Sequence, residues 1–354
     1  FAAVRDTASW LKYATDAPAS AKYAYAFGSS QSGRFLRDFL YHGFNTDEKN
    51  RQVFDAVMAH IAGAARIDLN ARGATPTALG QFSATSFPFA DMKQRDPASG
   101  VEEGALDNPR ARDHQPKIFY TNTGVEYWGG GRSAALVHTS PDGSKDLTLP
   151  DNERVYFLTG TQHGPARFPS AVTNGQQKEN PNNYWLTMRA LSVAMDKWVR
   201  DRVTPPASRY PRLADGTLVR STEVAFPSVP TVASPRTLTP GTRGANRLIE
   251  KDGAPGTPLP LLVPQVDQDG NERAGVRLPD VAVPLATFTG WNFRKPAIGA
   301  PTQLFPLMGS YVAFPGTKAE RERARDPRAS IEERYPSRDK YVSLVQEAGA
   351  ALVK

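Results

Sequence analysis

Three serines lie in a glycine-bounded stretch near the start of the chain, "GSSQSG", at residues 28–33. A serine hydroxyl becomes an effective nucleophile only when a neighbouring base removes its proton. One way to present such a serine is a tight turn between a strand and a helix, with the pattern G-x-S-x-G. Here the pattern is G-x-S-x-S, with Ser30 at its centre and Ser32 in place of the second glycine. The spacing predicts that Ser30 is a nucleophile, and a Ser-Gly turn without chemistry is the alternative.

A base and an acid follow in the chain order that such a serine requires, each just after a predicted strand. His163 lies in "TGTQHGP", whereas His60 lies in an apolar run where a core histidine is expected. Glu126 lies in "NTGVEYW", where its carboxylate could accept the imidazole N–H and hold the ring in one tautomer. Other acids compete with it in a stretch that reads as turns: Asp142, Asp146 and Asp151. The order predicts a triad of Ser30, His163 and Glu126.

The same reasoning predicts an oxyanion site and a pocket. The backbone N–H of Gln31 would face the oxyanion, helped by the partial positive charge at a helix N-terminus. Residues 63–115 are long, polar and irregular, which is typical of a lid or cap. Aromatic side chains are the candidate pocket walls, although core positions are an equal alternative: Phe82, Phe87, Phe89 and Trp128. This chemistry needs no metal ion and no organic cofactor.

Alternating helical and strand patterns would position these residues within a domain over 1–205. The helices are predicted over 1–15, 34–41 and 183–203, and the strands over 22–27, 54–62, 117–122 and 154–159. Apolar runs such as 54–62 are typical of a buried parallel sheet. Residues 206–354 are proline-rich, with short strands, a turn at Asp269-Gly270 and a final helix. They are predicted to form an extension packed on the first domain.

With these three residues in place, the sequence resembles the α/β-hydrolase superfamily, and more narrowly a bacterial family of large α/β hydrolase domain-containing proteins. The matching stretches run from Gly28 to Tyr341: "GSSQSGRFLRDFLYHGFN", "FPFADM", "NTGVEYWG", "GTQHGP", "TGWNFR", "LMGSY" and "ERYPSRDKY". The resemblance implies an α/β fold with a mostly parallel sheet. It also implies a Ser-Glu-His hydrolase that cleaves an ester or a similar acyl bond.

The chain departs from that fold before the elbow. The fold has several strands there, and this chain has one predicted helix and one predicted strand. We therefore expect a fragment whose elbow strand lies at an open sheet edge and whose second oxyanion donor is missing. Such a fragment is expected to be nearly inactive alone.

Composition narrows the classes of function. The chain has no cysteine, which excludes disulfides, thiolate metal sites and cysteine nucleophiles. The net charge is +7, but its densest run, "KAERERARDPR", interleaves acids, so no nucleic-acid partner is expected. No apolar run approaches the roughly 20 residues that span a bilayer.

The expected partner is a small-molecule ester. An amidase or acyltransferase on the same triad, a non-catalytic binding protein of this fold and a polyanion-binding module are the alternatives. The sequence leaves the localisation and the oligomeric state open.

Overall fold

The structure is a computed structural model, and it describes residues 1–19, 21–67, 87–96, 99–129, 133–238, 247–249 and 255–353. The α-helices of these residues are α1 (Ala2–Tyr13), α2 (Gln31–Tyr41), α3 (Gly124–Trp128), α4 (Trp185–Arg200), α5 (Pro279–Ala282), α6 (Lys318–Ala324), α7 (Ile331–Arg334) and α8 (Arg338–Val353). The strands are β1 (Tyr25–Ser29), β2 (Ala56–His60), β3 (Gln94–Arg95), β4 (Glu102–Glu103), β5 (Lys117–Thr123), β6 (Glu153–Leu158), β7 (Lys178–Glu179), β8 (Leu218–Arg220), β9 (Arg247–Ile249), β10 (Pro255–Pro258), β11 (Leu262–Pro264), β12 (Ala286–Phe288) and β13 (Ser310–Ala313). Short 3₁₀ helices occur at Pro109–His114, Ala134–Val137, Ser221–Glu223, Pro235–Thr237 and Pro296–Ile298.

Four parallel strands form the central sheet, in the order β1-β2-β5-β6. The register places Gly28, Ala59, Tyr120 and Val155 in one row across the sheet. The carboxyl ends of all four strands therefore meet at one edge, and the segments that follow β1, β5 and β6 leave the sheet side by side. Because β1 is the first strand in this order, it lies at a side of the sheet.

Helices pack on opposite faces of this sheet, as strands with near-continuous apolar runs require, although Tyr25 and Phe27 of β1 remain exposed. Successive side chains of a strand point to opposite faces, so β2 sends Val57 and Ala59 into the core beneath α2. Met58 points to the other face, where it joins the core beneath α4. Burial of a side chain as large as Phe39 of α2, which is fully buried, contributes about 1.5–3 kcal/mol. Packing on these two faces fixes the position of the sheet edge at which the carboxyl ends of the strands meet.

The segment after residue 205 packs on the end of β6 and on α3. Val276 donates its N–H to the Phe157 carbonyl at 2.7 Å, and Thr159 donates to the Val276 carbonyl at 3.2 Å. A second apolar core joins Trp128 of α3 to Trp291, with ring centroids 5.9 Å apart. Residues from the C-terminal segment therefore lie beside the loops that follow β5 and β6.

The elements lie close to the predicted ones, with shifted ends. The predicted strand over 22–27 is instead Tyr25–Ser29, because pairing with β2 begins at Tyr25 and continues to Ser29 opposite His60. Helix α2 begins at Gln31 rather than at residue 34. The predicted turn at Asp269-Gly270 is present, with Gly270 at φ 80° and its N–H bonded to the Asp267 carbonyl.

Part of the predicted lid over 63–115 lies outside the described residues, which omit 68–86 and 97–98. Phe82 falls within that part. The described portions contain the β3–β4 pair and the 3₁₀ helix Pro109–His114. In the described part of the chain, no helix is both long and apolar enough to cross a membrane.

Candidate active site

The turn between β1 and α2 holds Ser30 in an unusual backbone conformation, with φ 57° and ψ −115°. A positive φ at a residue other than glycine costs about 1–3 kcal/mol and persists only where the surroundings enforce it. Here Ser30 donates its N–H to the His60 carbonyl at 2.9 Å, and its own carbonyl accepts from Arg34 N–H at 3.0 Å. A Cβ on Gly28 would lie 2.4 Å from the Ser32 carbonyl oxygen. The close approach of strand and helix therefore requires a glycine at that position.

Ser30, His163 and Glu126 come together in one hydrogen-bonded chain. His163 Nε2 lies 3.1 Å from Ser30 Oγ, and His163 Nδ1 lies 2.7 Å from Glu126 Oε1. Because a carboxylate only accepts, Nδ1 carries the proton and Nε2 is free to accept the proton of the serine hydroxyl. The Glu126 side chain is fully buried, whereas the His163 side chain is 13% exposed. The arrangement can deprotonate a serine as it attacks a substrate.

The acid is held by the start of its own helix. Thr123 caps α3 and donates both its backbone N–H, at 2.9 Å, and its hydroxyl to Glu126 Oε2. This leaves Oε1 directed at the imidazole. The sequence "TGVE" is a capping box, in which the third residue of the helix reaches back to the N-cap. The same local pattern that begins α3 therefore orients the carboxylate.

The loop that carries the base is fixed by side chains from elsewhere in the chain. Tyr184 donates its hydroxyl to the His163 carbonyl at 2.6 Å. Gln162 Oε1 accepts the N–H groups of Gly309 at 2.8 Å and Asn180 at 3.2 Å. Gly160, two residues after the end of β6, adopts φ 64°, a region that favours glycine. These contacts therefore restrict the conformations that are open to the backbone of the His163 loop.

His60 lies beneath the elbow and is fully buried. Its Nδ1 is 2.8 Å from the Thr121 hydroxyl, and its Nε2 is 3.4 Å from the Tyr184 hydroxyl. Burial lowers the pKa of His60 to about 4. It is therefore neutral at physiological pH and supports the elbow through its carbonyl.

The Gln31 N–H is the first amide of α2 and adjoins Ser30. The first amides of a helix have no partner within the helix, and in the described ranges no group accepts from this one. This position suits an oxyanion that forms on a carbonyl attacked by Ser30. In the described portion of the chain, no group of three or more His, Asp or Glu side chains is placed to hold a metal ion.

The residues predicted as pocket walls lie mostly in the core. Trp128 is 1% exposed, and its indole N–H donates to Glu272 Oε1 at 3.2 Å. Phe89 is fully buried beneath α2, and Phe87 packs against the same core, with ring centroids 5.5 Å apart. The positions of Trp128 and Phe89 fit structural packing, because neither ring has an open face.

Two side chains beside the triad were missed by sequence reasoning. Tyr184 fits the helical apolar spacing of 183–203, so its hydroxyl gave no signal. Glu272 accepts from Trp128 and from the N–H of Gly160, partners that are 144 and 112 residues away in the chain. No local pattern reveals a contact over such separations.

Comparison with known proteins agrees with this architecture. No curated protein and no solved structure matches the chain significantly. A family model described as "Alpha/beta hydrolase domain" matches residues 1–354. The parallel sheet with helices on both faces is the α/β arrangement expected from that match. The α/β fold class predicted from the sequence is therefore confirmed, and the chain belongs to the α/β-hydrolase domain family.

Proposed function

We propose that the protein is a serine hydrolase that cleaves a carboxylic ester, or a related acyl bond, of a small molecule. One observation carries the proposal, the continuous chain from Ser30 Oγ through His163 to Glu126, with contacts of 3.1 and 2.7 Å. A chain of nucleophile, base and orienting acid is the arrangement that general-base activation of a serine requires. The family match supports the hydrolase fold, and the arrangement of these side chains supports the proposed chemistry.

In the first half of the reaction, Ser30 Oγ attacks the acyl carbon while His163 Nε2 takes the hydroxyl proton. The carbonyl electrons move onto oxygen, and the Gln31 N–H stabilises that oxyanion. Collapse of the tetrahedral intermediate breaks the bond to the alcohol, which receives the proton from His163. Glu126 remains ionised and stabilises the imidazolium that forms between these two proton transfers.

In the second half, a water molecule attacks the acyl-serine. His163 accepts a proton from that water and returns one to Ser30 Oγ when the acid product leaves. Both halves use the same geometry, and His163 carries the proton in each of them, so no further acid or base is required. General acid–base catalysis of this kind typically contributes a factor of about 100 to 10,000.

The test is covalent labelling of the purified full-length protein with a fluorophosphonate, followed by mass-spectrometric mapping of the modified peptide. We expect the label on Ser30, its loss in S30A, and a rate at least about 1,000-fold lower in H163A. S32A is the matched control, because Ser32 lies two residues from Ser30, in the first turn of α2, and is not part of the hydrogen-bonded chain of the triad. It should label at close to the wild-type rate.

Ester hydrolysis is then measured with short p-nitrophenyl esters, and amide and acyl-transfer activity with matched anilides and added alcohols. A folded full-length wild-type protein that neither labels nor hydrolyses would contradict the proposal. That outcome would favour a non-catalytic binding protein of this fold.

A further inference from the structure

A second buried carboxyl group lies between the element that carries the acid and the loop that carries the base. Glu272 is 1% exposed. Its Oε2 accepts the Gly160 N–H at 2.7 Å, and its Oε1 accepts the indole N–H of Trp128 at 3.2 Å. One side chain thus bridges two segments that are separate in the chain.

Both segments lead directly to the triad. Trp128 follows Glu126 by two residues within the single short helix α3, and Gly160 precedes His163 by three residues. A movement of either contact would therefore change the distance between the carboxylate and the imidazole. That distance is 2.7 Å, and the hydrogen bond weakens as it lengthens.

Glu272 itself is held on a rigid support. It pairs with Val266 across the turn at Asp269-Gly270, and four residues later Val276 pairs with the end of β6. The carboxyl group also fills the space beside α3, because a Cβ added to Gly124 would lie 2.9 Å from Oε1. The C-terminal segment thus delivers a fixed acceptor to this point.

We infer that Glu272 is a positioning residue, which ties α3 to the loop after β6 and so sets the contact between Glu126 and His163. The inference rests on the proposed serine chemistry and extends it to the C-terminal segment. The hydrogen bonds of Glu272 go to Trp128 and Gly160, and we expect it to act on the triad through these two residues.

The electrostatic surroundings agree with this role. Burial holds the pKa of the Tyr127 phenol of α3 well above its usual range, and the charges of Glu272 and Glu126 act in the same direction. Among the described residues, Glu272 forms no ion pair with a lysine or an arginine. Burial raises the pKa of Glu272 to about 7, against the two N–H groups that lower it. Within the described ranges, the side-chain hydrogen bonds of Glu272 therefore go only to the two groups that it positions, while its backbone is held by the pairing with Val266.

The test compares E272Q with wild type and with E153Q. The glutamine has the same shape, but its NH₂ group faces one of the two N–H donors and leaves it without an acceptor. E153Q is the matched control, because Glu153 is a fully buried glutamate with a raised pKa at the opposite end of β6. Each variant is assayed for kcat and KM on p-nitrophenyl acetate, for fluorophosphonate labelling, and for melting temperature at pH 8.

We expect E272Q to lower kcat and the labelling rate by about 10- to 100-fold, since small displacements of catalytic groups have effects of that size. KM should change little, the melting temperature of E272Q at pH 8 should not fall below that of wild type, and E153Q should keep wild-type kcat. A fall in activity that follows a fall in melting temperature equally in both variants would overturn the inference. Wild-type kcat in E272Q would also overturn it.

A spectroscopic measurement separates this inference from the proposed function. The proton between His163 Nδ1 and Glu126 should give a low-field resonance in the NMR spectrum, whether or not an ester is cleaved. We expect that resonance to shift or broaden in E272Q and not in E153Q. An inactive wild type would refute the serine chemistry alone, and an unchanged resonance in E272Q would refute the positioning role alone.

Discussion

The buried carboxyl of Glu272 predicts a specific dependence of stability on pH. Its pKa is about 7 in the folded protein, against 4.5 for an ordinary glutamate. Below pH 4.5 the group is protonated in the folded and unfolded states alike. Between pH 4.5 and 7 the unfolded chain releases this proton while the folded protein keeps it, so the free energy of unfolding falls as the pH rises.

The size of the effect follows from the shift. A difference of one pKa unit corresponds to about 1.36 kcal/mol, so the shift from 4.5 to about 7 makes the folded protein about 3 kcal/mol less stable above pH 7 than below pH 4.5. Solvent does not screen the charge of this carboxylate, because the side chain is buried. A glutamine at this position cannot titrate and removes the dependence.

The assay is urea unfolding of wild type and E272Q between pH 4.5 and 8, with E102Q, at an exposed glutamate, as the control. We expect the stability of E272Q relative to wild type to rise by about 3 kcal/mol over this range, while E102Q follows wild type. Parallel curves for E272Q and wild type, within about 0.5 kcal/mol, would refute the reasoning. They would mean that the two N–H groups fully offset the burial of the charge.

Three further predictions concern the elbow and the triad. G28A should abolish fluorophosphonate labelling and lower the melting temperature, since the new Cβ would lie 2.4 Å from the Ser32 carbonyl oxygen; labelling at the wild-type rate would contradict the elbow geometry. E126Q should lower kcat by about 10,000-fold with little change in KM, because the amide no longer holds the imidazole in the required tautomer. A loss of less than about 10-fold would contradict the role of Glu126 in orienting His163. Y184F removes the 2.6 Å hydrogen bond to the His163 carbonyl, and the unsatisfied carbonyl should reduce stability by about 1–3 kcal/mol in urea unfolding; unchanged stability would indicate that the carbonyl finds another donor.

Much of the candidate site could be predicted because it depends on patterns of residues that are close together in the sequence. Each triad residue follows a strand of apolar and aromatic residues, and parallel strands end at one edge of a sheet. The small residues around Ser30 indicate a turn where strand and helix approach closely, and the structure has that turn. The helix α3 that carries the acid was not predicted, although the capping pattern at Thr123 that begins it is equally local.

The pocket residues could not be predicted in the same way. A phenylalanine or tryptophan beside a catalytic residue has the same local pattern whether it lines a pocket or fills the core. Trp128 is buried because Trp291 of the C-terminal segment packs against it. That contact depends on where the chain runs after residue 205, and the periodicity of apolar residues does not predict that path.

The sequence by itself determined the α/β class, the absence of cysteine chemistry, and the order of a serine, an acid and a histidine, each after the end of a strand. These features depend on residue types and on spacings of a few residues, which the backbone geometry of strands, turns and helix caps translates directly into structure. Only the tertiary structure decided that Glu272 lies between Trp128 and Gly160. Its two hydrogen bonds close loops of more than 100 residues, and such contacts follow from the packing of whole elements rather than from any local pattern.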